Sequence, residues 1–242
     1  MALRTRLLTL LVAVLLAGCG GGGSDSGAAV LSDTPDLVPY EGMQAAQVFG
    51  LMRTSVRQAG SVHVRMESVN GGDRLRSDMR VSRDGVASGW FEPVQGQRAE
   101  LLRIGDRAWY KGNAQFLDAR GLTGVTPDGP WTPVTDDGYV ASYLNYTKIP
   151  FYTGELLRTP QKNLRKVEGK VLGGQLSIGL RPRAGTGTLY VSADGSGELV
   201  GYQDDTFTYR FSDWDEPVTA EAPDGSGANT QAGIQAGTQV GN

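Results

Sequence analysis

The sequence contains a single cysteine, Cys19, among its 242 residues. This scarcity excludes a disulfide within the chain, so packing alone must hold the fold together. Cys19 also lies at the border between an apolar run and a glycine-rich stretch, away from any segment with the pattern of a folded domain. We therefore expect no thiol chemistry in the folded domain.

Histidine is equally scarce, with His63 as the only one. His63 stands between Val62 and Val64 in an alternating segment, so its side chain faces the other way, and we predict a solvent-facing strand position. No Ser–His–Asp arrangement and no cluster of histidine with carboxylates can be assembled around it from the sequence. We expect no enzymatic activity, no metal site and no cofactor.

Positive charge is not in excess either. Lys and Arg number 23 against 26 Asp and Glu, and loss of a leader containing Arg4 and Arg6 would make the net charge −5. Such a mildly acidic chain is a poor candidate for binding nucleic acid.

A long apolar run is also missing. The longest one, Leu7 to Ala17, is shorter than the roughly 20 residues that span a bilayer. Because it follows Arg4 and Arg6 and ends in small residues, it has the features of a signal peptide.

The segment around Cys19 carries a first resemblance. Leu16, Ala17 and Gly18 precede the cysteine, and a Gly/Ser-rich stretch follows it. This arrangement resembles the lipobox of bacterial lipoproteins. The resemblance implies a signal peptide at 1–18, a diacylglyceryl group on the Cys19 thiol, and anchoring at the outer face of the cytoplasmic membrane. The alternative is an ordinary secreted protein with a spare cysteine.

Composition divides the rest of the chain into three parts. Residues 19–39 are rich in Gly, Ser, Asp and Pro and are predicted to form a lipidated, disordered tether. Residues 40–218 have the pattern of one folded domain, and residues 219–242 form a second segment predicted to be disordered.

The domain has an α+β pattern. Apolar residues at helical spacing predict a helix from Glu41 to Ala59, with Ala45, Phe49, Met52, Val56 and Ala59 on its buried face. Alternating segments separated by turn residues then predict about ten antiparallel strands. A Pro/Gly-rich loop from Gly112 to Asp137 and two short helices, near Gly138–Asn145 and Tyr152–Arg158, interrupt them.

Three local motifs add a second resemblance. They are SVHVRMES at 61–68, RIGDRAWYKG at 103–112, and TYRFSDWDEPVTAEAP at 208–223. With the lipobox and the order of the elements, they make the chain similar to the LppX/LprA/LprF/LprG-like actinobacterial lipoproteins, which share the LolA/LolB-like fold. The resemblance implies a strongly curved antiparallel sheet, an incomplete barrel, with helices packed across its concave face. It also implies an apolar cavity that holds acylated lipids or glycolipids.

Apolar strand residues are the candidate lining of this cavity, although each could equally fill a packed core. They are Val62, Val64, Met66, Leu75, Met79, Val81, Trp90, Leu102 and Ile104. Residues of the loop and the first short helix are candidates for a mobile mouth, with ordinary packing as the alternative. They are Phe116, Leu117, Leu122, Tyr139 and Tyr143.

The function predicted on this basis is a monomeric, membrane-anchored lipoprotein that binds an acylated lipid or glycolipid and carries or presents it in the cell envelope. A membrane transporter is a possible partner. The alternatives are a non-enzymatic envelope interaction or regulatory module with a collapsed cavity, and an envelope hydrolase.

Overall fold

A computed structural model describes residues 38–70, 73–136, 138–159 and 163–223. The predicted signal peptide, Cys19, nearly all of the tether, and the tail from residue 224 onward lie outside these residues. Among the helices that are described, none is long and apolar enough to cross a membrane.

The domain begins with a turn of 3-10 helix, Val38–Tyr40, and the helix α1, Ala45–Gln58. Helix α1 starts later than the apolar spacing predicts, because the Gln44 backbone N–H donates to Gln47 Oε1 at 2.7 Å and caps the helix there. The predicted buried face is confirmed, with Val48 added to it. Its buried side chains are Val48, Phe49, Met52 and Val56.

Twelve antiparallel strands form one hydrogen-bonded sheet system in the described residues. The first half of the chain contributes β1 (Ser61–Asn70), β2 (Asp73–Ser82), β3 (Val86–Val94), β4 (Gln97–Ile104), β5 (Arg107–Gly112) and β6 (Thr132–Pro133). The second half contributes β7 (Leu164–Val167), β8 (Val171–Leu172), β9 (Gln175–Pro182), β10 (Thr188–Ser192), β11 (Leu199–Gln203) and β12 (Phe207–Ser212).

The strand order is β6-β5-β4-β3-β2-β1-β12-β11-β10-β9-β7, with β8 paired to β9. The two meanders meet at the centre, where β1 pairs with β12. The edge strands β6 and β7 do not pair with each other among the described residues, so the sheet is not closed. The predicted α+β class and incomplete barrel are confirmed.

The strand count is higher than predicted, for two local reasons. The loop after β5 contains the short strand β6. The sequence predicts one of its ten strands over Leu164–Leu172, but the structure breaks it into β7 and β8 around Gly169. There the chain passes so close to β9 that a Cβ would lie 1.6 Å from the Ser177 carbonyl oxygen.

Helices cover one face of the sheet, which we call the inner face. Helix α1 contacts β7 and β11, and α2 (Ala114–Ala119) contacts β4 and β5. The 3-10 helix Tyr139–Thr147 contacts β2 and β3, and α3 (Ile149–Thr153) contacts β1. A final 3-10 turn, Leu156–Arg158, follows α3. The opposite side, which carries Arg65 and Asp78, is called the outer face.

Candidate functional site

An open pocket of about 690 Å³ lies on the inner face, between the sheet and the helical segment around α3. Strands β1 to β3 contribute Met66, Ser68, Leu75 and Pro93. The hairpin of β11 and β12 contributes Tyr202, Asp204, Phe207 and Tyr209. The helical segment contributes Tyr146, Phe151, Tyr152, Glu155 and Leu156. The lining is therefore mainly aromatic and aliphatic.

The helical wall of the pocket is fixed by one buried tyrosine. Tyr152 is 2% exposed, and its hydroxyl donates to the backbone carbonyl of Tyr146 at 2.9 Å. This bond joins α3 to the preceding 3-10 helix. Burial raises the pKa of Tyr152 well above its ordinary value, so the hydroxyl keeps its proton. Phe151, beside Tyr152 in sequence, remains 42% exposed at the pocket rim.

The sheet wall is built by alternation along β12. Phe207, Tyr209 and Phe211 lie on the inner face, with ring centroids 5.9 Å and 6.1 Å apart in stacked pairs. Phe211 is buried in the core, Tyr209 lines the pocket, and Phe207 is 36% exposed at the rim. The inner-face side chains of β12 therefore change along the strand from a buried core residue to an exposed residue at the pocket mouth.

Two of the predicted cavity residues, Met66 and Leu75, line the pocket. Four others share their face but do not line it: Val62, Val64, Met79 and Val81 are at most 1% exposed and belong to the packed core with Phe49 and Met52. The sheet and the helices touch over much of their area, and the pocket is confined to one end of the inner face.

Three of the predicted cavity residues lie on the outer face, which corrects their assignment. Trp90, Leu102 and Ile104 alternate with the core residues Phe91 and Leu101, so they point away from the helices. Leu102 pairs with Trp109, and both are buried on the outer face at 6% and 3% exposure. Strands β3 to β5 carry apolar side chains on both faces. The hydrophobicity of a residue in these strands therefore does not predict which face it lies on.

The predicted mouth is also corrected. Phe116 and Leu117 are 0% and 3% exposed in α2, where Asn113 Oδ1 accepts the Phe116 N–H at 2.9 Å and starts the helix. They are core residues, and Leu122 packs against the same core. Phe116 and Leu117 therefore belong to a docked helix, and Leu122 packs beside it, in place of the predicted mobile mouth.

The two tyrosines of the predicted mouth, Tyr139 and Tyr143, do not line the pocket either. Tyr139 and Tyr143 share a hydrogen bond of 2.9 Å between their hydroxyls, and Tyr143 stacks on Phe91 with centroids 4.2 Å apart. Sequence reasoning missed Phe151, Phe207 and Tyr209 as pocket residues. The alternation of aromatic residues in β12 is the signal that could have identified the last two.

The outer face is a mixed, ion-paired surface, as the interleaved charges of β1 and β2 predict. Arg65 Nε lies 3.0 Å from Asp78, and Arg74 Nε lies 3.0 Å from Glu67. Arg76 reaches Glu92 at 2.8 Å. A cavity of about 590 Å³ also lies on this face, but its lining includes Lys170, Arg181, Glu168 and Asp205, so it is polar.

His63 is buried, which contradicts its predicted exposure. It lies on the outer face as its alternation requires, yet it is only 7% exposed. Its Nε2 lies 2.6 Å from Asp78 Oδ1, and its Nδ1 lies 3.2 Å from Asp213 Oδ2. The expectation that no histidine–carboxylate cluster could form was wrong. Asp213 lies 150 residues further along the chain, but the fold places it beside His63.

This cluster is not arranged for general-base catalysis. Ser212 Oγ lies 3.4 Å from His63 Nδ1, so a serine, a histidine and two aspartates do come together. Both ring nitrogens, however, already lie within hydrogen-bond distance of a carboxylate oxygen. Nδ1, the nitrogen nearest the serine, is closer to Asp213 than to Ser212 Oγ, so the serine is not the main partner of the ring. Among the described residues, no cluster of three or more His, Cys, Asp or Glu could hold a metal ion.

Replacing His63 with alanine should lower the free energy of unfolding by about 1–3 kcal/mol. The change removes the buried ring that contacts both the Asp78 and the Asp213 carboxylates, which are 29% and 30% exposed. Urea denaturation measures the loss. Arg65→Ala is the control. The Arg65 side chain is 64% exposed, so its ion pair with Asp78 should contribute less than about 1 kcal/mol to the free energy of unfolding. Equal stability of the two variants would contradict a stabilising role for the cluster.

No family model matches the chain, and no curated protein matches its sequence. Solved structures do match. The crystal structure of LprF from Mycobacterium bovis covers 74% of this chain and 96% of its own, with a TM-score of 0.53 and 16% identity. The lipoprotein LppX from Mycobacterium tuberculosis covers 73% and 98%, with a TM-score of 0.45 and 16% identity. A LolA superfamily protein from Nitrosomonas europaea covers 73% and 95%, with a TM-score of 0.28 and 10% identity.

The likeness to LprF defines the class of fold. The chain is an open antiparallel sheet with helices across one face, the architecture it shares with LprF over nearly that protein's whole length. The resemblance inferred from the sequence is confirmed at the level of the fold. At 16% identity the likeness extends no further than the fold.

Proposed function

We propose that this chain is a non-enzymatic, membrane-anchored lipoprotein that binds an acylated lipid or glycolipid in the inner-face pocket and carries or presents it in the cell envelope. The anchor is the lipid on Cys19, at the outer face of the cytoplasmic membrane. A membrane transporter is the partner proposed for delivery. The observation that carries the proposal is an apolar, aromatic-lined pocket of about 690 Å³ with an open mouth.

The energetics of lipid transfer favour such a pocket. Each methylene that leaves an apolar phase for water costs about 0.8 kcal/mol, so one long acyl chain costs about 12 kcal/mol. Transfer from a bilayer into an apolar pocket avoids most of this cost. The pocket volume is within the range typical of small-molecule sites, and the rim residues Phe151 and Phe207 extend apolar surface to the mouth.

The other two candidate functions fit these observations less well. An interaction module with a collapsed cavity would leave the exposed aromatic rim and the open volume without a role. A hydrolase would need a base near a nucleophile, and His63 is already engaged on both sides by carboxylates.

Extraction of the purified protein tests the proposal. The full chain, expressed in an actinobacterial host, should release about one non-covalent acylated lipid per protein into organic solvent, as measured by mass spectrometry. Expression in a second host with different lipids should change the identity of the bound lipid but not the stoichiometry. Protein that is folded and lipid-free from both hosts would overturn lipid binding.

The anchor is tested separately at Cys19. Cys19→Ser should abolish incorporation of a labelled fatty acid, because serine lacks the thiolate that accepts the diacylglyceryl group. Gel fluorescence after growth with an alkyne-bearing fatty acid measures the incorporation. Ser24→Ala, in the adjoining Gly/Ser stretch, should be labelled like the parent chain. Full labelling of Cys19→Ser would show that acylation does not take place at this residue.

A further inference from the structure

The charged side chains in the described lining of the pocket are all of one sign. Among the described residues of its lining, Glu155 and Asp204 are the charged ones, and both are acidic. Glu155 is 82% exposed at the rim and forms an ion pair with Arg158, so water and a cation compensate it. Asp204 is the more buried of the two, and it also borders the polar cavity that contains Lys170 and Arg181.

Hydrogen bonds hold Asp204 in its ionised form. Its Oδ2 accepts the Tyr202 hydroxyl at 2.7 Å, and its Oδ1 accepts the backbone N–H groups of Phe207 at 2.6 Å and Thr206 at 2.8 Å. Burial acts to raise the pKa of Asp204, but these donors outweigh it and the pKa is lowered. An anionic head group entering the pocket would meet this carboxylate without a basic side chain in the lining to compensate it.

Two tyrosine hydroxyls in the lining have no acceptor among the described residues. Tyr152 and Tyr202 use their hydroxyls on Tyr146 and Asp204, whereas those of Tyr146 and Tyr209 have no such bond and are not sealed off from the pocket. Burial raises the pKa of each to about 12, assisted at Tyr209 by the charge of Asp204. Both groups are therefore neutral O–H donors.

We infer that the pocket selects uncharged ester lipids, whose ester carbonyls accept hydrogen bonds from the Tyr146 and Tyr209 hydroxyls, over fatty-acid anions and anionic phospholipids. This inference rests on the proposed lipid binding and names its substrate class. An ester offers the acceptor that these hydroxyls lack and brings no charge to Asp204. A fatty-acid anion also offers an acceptor, but it brings a further negative charge to a pocket whose described lining residues include no basic side chain.

Binding of three chain-matched probes tests the inference. The full chain, freed of non-covalent lipid, is titrated with methyl oleate, oleate and oleyl methyl ether while displacement of the uncharged dye Nile red is measured. Methyl oleate should bind at least about ten-fold more tightly than oleate, and about five-fold more tightly than the ether, which lacks the carbonyl acceptor.

Two phenylalanine variants test the donors. Tyr146→Phe and Tyr209→Phe should each weaken methyl oleate binding by about five-fold without changing the binding of the ether, because only the hydroxyl is removed. Tyr190→Phe, on the outer face, is the matched control and should change neither. Asp204→Asn keeps an oxygen acceptor for the turn amides and should raise the affinity for oleate. Thermal melting confirms that each variant is folded.

The outcomes distinguish a failure of lipid binding from a failure of the selection for uncharged esters. If no probe displaces the dye or binds directly, lipid binding itself fails. If all three probes bind with equal affinity, or if oleate binds best, lipid binding stands and the selection for uncharged esters is overturned. Unchanged methyl oleate affinity in both folded Tyr→Phe variants would overturn the role of the hydroxyls.

Discussion

Replacing Ser68 with tryptophan is expected to reduce the lipid that co-purifies with the chain by about ten-fold or more. Ser68 lies on β1 at 7% exposure, lines the pocket, and pairs with Leu75 on β2 and Phe207 on β12. An indole at this position projects into the pocket from its sheet wall and occupies the volume that an acyl chain needs. The open mouth gives the new ring room, so the fold should be retained.

The neighbouring residue provides a matched control. Glu67 precedes Ser68 on β1, so its side chain is on the outer face, where it is 46% exposed and paired with Arg74. Glu67→Trp adds the same ring and removes only a surface ion pair, which contributes little to stability. Mass spectrometry of extracted lipid and thermal melting are compared for both variants. Lipid loading of a folded Ser68→Trp protein at the parental level would mean that the lipid binds elsewhere.

The largest expected effect on stability comes from Gly89→Ala, which should lower the free energy of unfolding by about 3–5 kcal/mol. Gly89 lies in β3 opposite Met79, where β3 approaches β2 closely. A Cβ there would lie 2.1 Å from the Asp78 carbonyl oxygen and 2.8 Å from Met79 Cα. Both are backbone atoms of the paired strand, so relief requires the two strands to separate.

The same substitution at another glycine should have the opposite sign. Gly50 lies within α1, and a Cβ there would have no atom within 4 Å. Gly50→Ala should therefore raise stability by up to about 1 kcal/mol, because alanine lowers the entropy cost of forming the helix. Urea unfolding followed by tryptophan fluorescence measures both. If Gly89→Ala is as stable as the parent, the close approach of β3 to β2 does not constrain residue size there.

The elements were predictable where the signal is local. The spacing of Phe49, Met52 and Val56 predicted α1, and turn pairs such as Asp84-Gly85 and Gly105-Asp106 separated the strands of the first meander as the structure has them. The predicted helix near Gly138–Asn145 is present as the 3-10 helix Tyr139–Thr147, whereas the one predicted near Tyr152–Arg158 is divided into α3 and the 3-10 turn Leu156–Arg158. Helix α2 was missed, because its apolar residues Phe116 and Leu117 stand among Gly and Pro and span too few residues for a periodic signal.

The candidate site was predictable only in part. Met66 and Leu75 were identified from their alternation, but the pocket also needs Tyr146 and Phe151 from the helical segment and Tyr209 from β12. These residues are far apart in the sequence, and no short-range pattern relates them. The burial of His63 depends in the same way on Asp213, which joins it only because β1 pairs with β12.

The sequence by itself determined most of the strands and turns, because each depends on neighbours within a few positions. Its resemblances predicted the class of fold and the residue that carries the lipid. The tertiary structure alone decided which strand face is covered by helices and where that cover leaves a pocket. Alternation divides a strand into two faces but does not say which one is enclosed. That is why Trp90, Leu102 and Ile104 lie outside while Tyr146 and Tyr209 line the pocket: the pairing of β1 with β12 and the docking of α3 bring distant residues together.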